Sequence, residues 1–230
     1  MPKKVLFALT SHGDLGDTGR RTGFYVPEVA HPADVFRRAG FEIAYVSVSG
    51  GAPPQDGIDP DDAVVAEFLA DSETRRALAA TPTPAQLDPA DYDVIYFAGG
   101  HGTMWDFPES AELAGLAAEV YERGGVVAAV CHGPAALVNV KLTDGSYLVA
   151  GKQVASFTDD EEEAVGLTSV VPFLLETALV ERGAKHTKAA NFAPHAVADQ
   201  RLVTGQNPAS AAQVAELAVA ELAAARTGAA

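Results

Sequence analysis

Four short apolar runs constrain this chain more than any other feature: Val5–Thr10, Ile43–Val48, Val94–Ala98 and Val126–Val130. Each is about a strand long, and none alternates with polar residues. A strand that is apolar on both faces must be covered on both faces, which is the condition of a parallel sheet. Helical patterns lie between the runs. Pro32 to Ala39 follows the first, with a proline near a helix start. Asp61 to Ala79 repeats apolar residues at Val64, Val65, Phe68, Leu69 and Leu78, near helical spacing. Pro108 to Arg123 is opened by "DFPES" and closed by Gly124-Gly125. An Ala-rich amphipathic helix is expected from Pro208 to Ala225, behind Asn207-Pro208 as its start. Strands alternating with helices predict an α/β fold: a doubly wound, mainly parallel sheet with helices on both faces. The Pro-rich "TPTPAQLDPADY" is a connector, because the same alternation resumes after it. One domain is therefore expected over residues 1–230.

Charge and cysteine content narrow the function. The net charge is -15, so phosphate backbones and anionic membrane surfaces are repelled; neither nucleic acid nor membrane is an expected partner. The opening "MPKKVLFALTSHGD" has too short an apolar run for a secretion signal, and reads as a first buried strand. A single cysteine cannot form an intramolecular disulfide, which fits a reducing compartment; the cytoplasm is the expected location. His12, His186 and His195 show no ligand spacing and no Cys/His cluster is seen, so no metal is expected.

That cysteine, Cys131, stands at the end of "GGVVAAV" and at the start of "GPAALV". The sequence Ala129-Val130-Cys131-His132-Gly133 has the small–x–nucleophile–x–small pattern of a sharp strand-to-helix turn. A lone cysteine is usually an inert, buried small hydrophobe. Here the neighbouring histidine and glycine favour a reactive thiol, and a helix N-terminus beneath it would lower its pKa. A second glycine-rich turn, Gly99-Gly100-His101-Gly102, follows another strand. Its backbone N–H groups, with that of His132, could face a developing oxyanion. No Lys-Ser/Thr pair follows it, so it is not a phosphate-binding P-loop.

Six stretches together resemble the ThiJ/PfpI superfamily, the cysteine branch of the class I glutamine-amidotransferase-like, flavodoxin-like fold. They are "TGFYVPEVAHP", "SGGAPPQDGIDP", "FAGGHGTMWDFPE", "AAVCHGPAAL", "SFTDDEE" and "RLVTGQNPAS", in order along the chain. The resemblance is strongest to the heat-shock chaperone and glutathione-independent glyoxalase (glyoxalase III) subgroup. It implies that Cys131 is the nucleophile, His132 the catalytic histidine, Glu28 the carboxylic acid at the sulfur, and Glu162 the third acid. Glu161 and Glu163 adjoin Glu162 in the same acidic run. Gly100 and His101 are expected at the oxyanion site and Trp105 at the pocket wall. True glutamine amidotransferases carry a His-x-Glu motif, which is missing here, so glutamine hydrolysis is disfavoured.

The resemblance thus implies a cofactor-independent lyase that converts methylglyoxal or a similar 2-oxoaldehyde to D-lactate, or the matching 2-hydroxy acid, through a cysteine hemithioacetal. The rival it implies is a stress-response holdase, redox sensor or deglycase using the same cysteine; a thiol hydrolase or peptidase is a third. A small aldehyde is the expected partner, and a homodimer the expected assembly.

Overall fold

The computed structural model describes residues 3–228. The strands are β1 (Lys3–Leu9), β2 (Phe24–Tyr25), β3 (Phe41–Ser47), β4 (Gln55–Asp56), β5 (Val94–Phe97), β6 (Val126–Val130), β7 (Gln153–Val154), β8 (Lys185–His186), β9 (Ala196–Asp199) and β10 (Leu202–Gly205). The α-helices are α1 (Pro27–Arg38), α2 (Ala63–Ala70), α3 (Ser72–Ala79), α4 (Thr103–Asp106), α5 (Ala111–Glu122), α6 (Asp159–Ala164), α7 (Leu175–Glu181) and α8 (Ala211–Gly228).

Six strands form the central sheet in the order β3-β1-β5-β6-β10-β9; every pairing is parallel except β10 with β9. The first five positions are the flavodoxin-like order, which reverses direction between β1 and β5. Alternate residues of β1 enter opposite cores. Val5, Phe7 and Leu9 pack with Phe36 of α1 and Val214 of α8, while Leu6 and Ala8 pack with Leu113 of α5 and Leu179 of α7. Burial on both faces is why these strands carry unbroken apolar runs.

The four expected strands form, with β6 at the expected bounds and the others shifted by one or two residues. The helices depart more. α1 begins at Pro27 rather than Pro32, with Pro32 inside it. Pro27 takes the helix-start role that Pro32 was expected to fill. Inside the helix, Pro32 can give no N–H to the carbonyl of Glu28. The Asp61–Ala79 pattern is broken at Asp71, whose backbone is extended and whose side chain accepts the Thr74 N–H to cap α3. α5 starts at Ala111, capped by Ser110. After Cys131 the chain makes a 3-10 turn over Gly133–Asn139 where an α-helix was expected. Pro208–Ser210 is likewise a 3-10 turn, and α8 runs on behind it. Among the described residues no helix is long and apolar enough to cross a membrane.

Candidate active site

Cys131 follows β6 directly and has φ 59. A left-handed backbone at a non-glycine residue stores strain, and the surroundings must enforce it. Three contacts do so. The Cys131 N–H donates to the Gly205 carbonyl at 2.9 Å, and the Cys131 carbonyl accepts from Phe157 N–H at 2.8 Å. Gly133 completes the turn: a Cβ there would stand 2.3 Å from the Phe97 carbonyl oxygen, so no larger residue fits. This is the close approach that the small–x–nucleophile–x–small pattern demands.

The next strand end supplies the facing wall. Glu28 lies in the first turn of α1 and is fully buried. Its Oε2 accepts the Gly99 N–H at 2.7 Å. Gly99 is required there, because its Cβ would lie 2.4 Å from that oxygen and 2.9 Å from Cys131 Cβ. The other oxygen, Oε1, is buried without a full hydrogen-bond partner. Burial, opposed in part by the Cys131 thiol and the Gly99 N–H, pushes this carboxyl up to about 8. A carboxylic acid is therefore held protonated near neutral pH beside the sulfur.

Behind the sulfur stands a histidine and a second acid. His132 Nδ1 lies 3.4 Å from Cys131 Sγ. Its Nε2 is 2.8 Å from Glu162 Oε2. A carboxylate only accepts, so Nε2 carries the proton and Nδ1 presents a lone pair to the thiol. Burial and the neighbouring His101 lower the imidazole to about 4, against the pull of Glu162, so the ring is neutral at pH 7. Burial raises the Glu162 carboxyl, but hydrogen bonds from His101 and His132 outweigh it and bring it down to about 2. The acid register expected from the sequence is the one that reaches His132.

The thiol itself differs from expectation. Burial and the Glu28 carboxyl raise Cys131 well above the ordinary thiol range, and the His132 backbone N–H offsets only part of this. A short 3-10 turn in a dry pocket does not outweigh that desolvation. Both effects favour the neutral thiol over a free thiolate.

The His101 side chain turns to Glu162, with Nε2 3.0 Å from Oε1, and its ring lies 4.1 Å from that of His132. Trp105 stacks on His12 at 5.0 Å between ring centroids, outside the hydrogen-bonded group. Gly100 has φ 105 and its backbone packs against Gly23. His101, His132 and Glu162 also bring three donor atoms within 4.8 Å of one another, a set that residue spacing could not reveal.

One buried residue was missed. Glu161 is fully buried, and its carboxylate accepts from Phe192 N–H, Gln206 Nε2, Asn207 Nδ2, Thr158 N–H and Thr158 Oγ1. The signal was present as Thr158-x-x-Glu161, the capping box, hidden within a run of acids.

A cysteine on a sharp turn at the carboxyl end of a flavodoxin-like sheet, backed by a histidine and an acid and faced by a buried carboxyl, places the chain among α/β proteins of this architecture. The chain belongs to the DJ-1/PfpI family, whose model matches residues 22–221. It is 40% identical to the glutathione-independent glyoxalase HSP31 of Saccharomyces cerevisiae, over 91% of this chain and 94% of that one. It is 37% identical to glyoxalase 3 of Candida albicans, over 94% and 97% of the two chains. The crystal structure of glyoxalase III from Candida albicans superposes with a TM-score of 0.89, covering 95% of this chain and 97% of the other at 36% identity. The Rapid Encystment Protein of Francisella tularensis superposes with a TM-score of 0.92, covering 96% and 99% at 38% identity.

Proposed function

We propose that this protein is a glutathione-independent glyoxalase that converts a small 2-oxoaldehyde to a 2-hydroxy acid, methylglyoxal giving D-lactate. The observation that carries this reading is the placement of the Cys131 thiol between a neutral base, His132, and a protonated acid, Glu28. The glyoxalases to which the chain is similar support it.

His132 Nδ1 takes the thiol proton as sulfur attacks the aldehyde carbon, and Glu162 steadies the imidazolium that forms. The carbonyl oxygen receives the proton of Glu28, giving a hemithioacetal and leaving Glu28 as a carboxylate. The Glu28 carboxylate then removes the proton from the former aldehyde carbon while the His132 imidazolium protonates the ketone oxygen, giving an enediol; Glu28 returns its proton to the adjacent carbon as His132 takes back one from the first hydroxyl. Glu28 is suited to that shuttle, because a group that passes a proton both ways works best with a pKa near the working pH. Collapse gives a thioester of the 2-hydroxy acid, and water hydrolyses it and regenerates the thiol. The sum is aldehyde plus water to hydroxy acid, with no net oxidation. Backbone N–H groups at Gly100 and His132 serve the developing oxyanion.

The test is direct. Purified protein given methylglyoxal and no added thiol should form D-lactate, and Cys131→Ala should abolish it. Wild-type protein that consumes no 2-oxoaldehyde would overturn the reading.

A further inference from the structure

We propose that His101, His132 and Glu162 form a binding site for one divalent transition-metal ion, zinc above all, and that its occupation switches the thiol chemistry off. The three residues come from the glycine turn after β5, the elbow after β6 and the first turn of α6. Their donor atoms lie within 4.8 Å of one another. The carboxylate already bridges the two rings, with Oε1 3.0 Å from His101 Nε2 and Oε2 2.8 Å from His132 Nε2. Zinc binds nitrogen and oxygen at ~2.0–2.1 Å, so tetrahedral ligands stand roughly 3.3 Å apart. The two carboxylate-to-ring spacings need only a slight opening to admit the ion.

The chemistry of the set also selects the ion. Two imidazoles and one carboxylate suit zinc, copper or nickel, and do not suit the all-oxygen preference of calcium or magnesium. Two of the ligands are held by their surroundings. Thr158 caps α6 behind Glu162, and the strained elbow fixes His132. His101 is about one-fifth exposed, which gives the ion an entry route and leaves its remaining coordination position to water.

Binding rearranges protons without releasing any from the rings. The metal takes the Nε2 lone pair of each neutral imidazole, and the proton that stood there moves to Nδ1. At His132 that atom faces Cys131 Sγ at 3.4 Å, so the shifted proton has an acceptor beyond the ligand shell. With Nδ1 protonated, His132 can no longer accept the thiol proton. That inhibitory consequence rests on the proposed glyoxalase reading; the metal site does not.

The experiment uses metal-stripped full-length protein titrated with zinc chloride by calorimetry, with cobalt(II) as a visible probe. Wild type should bind one zinc per chain. His101→Gln should weaken binding at least tenfold, while Cys131→Ala should retain it within threefold. Cobalt(II) should give tetrahedral d–d bands without a thiolate charge-transfer band; this readout on wild type stands even if a variant misfolds. Absence of stoichiometric zinc uptake, or uptake abolished by Cys131→Ala and unaffected by His101→Gln, would overturn the site. In the methylglyoxal assay zinc should suppress D-lactate formation and a chelator should restore it. Wild type that makes no lactate without zinc defeats the functional reading, while the calorimetry still judges the metal site by itself.

Discussion

Cys131 and the two acids near His132 are where single atoms decide the outcome. Cys131→Ser is nearly isosteric, and the Gly205 and Phe157 backbone bonds that hold the elbow do not involve sulfur. The variant should fold normally. A hydroxyl is a far weaker nucleophile than the thiol at neutral pH, so kcat/KM for methylglyoxal should fall well beyond tenfold, about 1.4 kcal/mol. Adjacent acids should separate cleanly. Glu162→Gln keeps the size but cannot stabilise an imidazolium, so turnover should drop at least about tenfold, and the loss of a carboxylate bonded to two histidines should lower Tm as well. Glu161→Gln places an amide NH2 among five donors in a buried site, and should cost about 1–3 kcal/mol of stability. Glu163 is exposed, and Glu163→Gln should match wild type in both assays. Parallel melting curves and lactate assays on the three variants check this. The elbow and its partners were legible because small residues and a nucleophile occupy fixed offsets from a strand end. The buried structural role of Glu161 was not, because five consecutive acids look alike until the cap orients them.

α6 shows how an element transmits to the site. It is only six residues long, and the reciprocal bonds between Thr158 and Glu161 define its start. Thr158 is buried, so its hydroxyl is worth more than at an exposed cap. Thr158→Ala should destabilise the protein by roughly 1–2 kcal/mol and lower turnover through a looser Glu162, whereas Thr158→Ser should restore both; thermal melts and kcat/KM report the two effects. Element boundaries were legible in proportion to their local chemistry. β6 is buried on both faces and ends at a glycine-flanked turn, so its limits read directly. The β9–β10 hairpin gave no comparable signal. Its two-residue turn places Gln200 and Arg201 both at positive φ, 52 and 67, where glycine or asparagine would be expected. Arg201 is held there by bonds from its guanidinium to the carbonyls of Tyr121 and Gly125, a tertiary cause that no local pattern displays.

For the whole molecule, three site groups give stability a distinctive pH dependence. Glu28 titrates near 8 when folded against 4.5 unfolded, so its contribution is full below 4.5 and is lost as pH rises to 8. His132 falls from 6.5 to about 4, so its contribution is present above 6.5 and is lost as pH falls toward 4. Glu162 falls from 4.5 to about 2, and its contribution is lost below 4.5. Between 4.5 and 6.5 the first two oppose each other. Wild type should therefore show a plateau there and decline from 6.5 to 8, with a slope of at most about 1.4 kcal/mol per pH unit from Glu28. Glu28→Gln should turn that profile into a rise from 4.5 to 6.5 followed by a flat region. Urea unfolding at intervals of pH distinguishes the two; a wild-type slope unchanged in Glu28→Gln would place the alkaline loss elsewhere.

The chain's single thiol also makes the protein its own reagent gauge. Every mole of electrophile bound at sulfur marks one mole of competent sites, so the mass increment of an alkylated sample counts working copies in any preparation. Because Cys131 is 4% exposed and packed against Glu28 and Gly99, a slim alkylator should enter much faster than a bulky maleimide. The ratio of the two labelling rates measures how far the pocket opens, and it needs no substrate to do so.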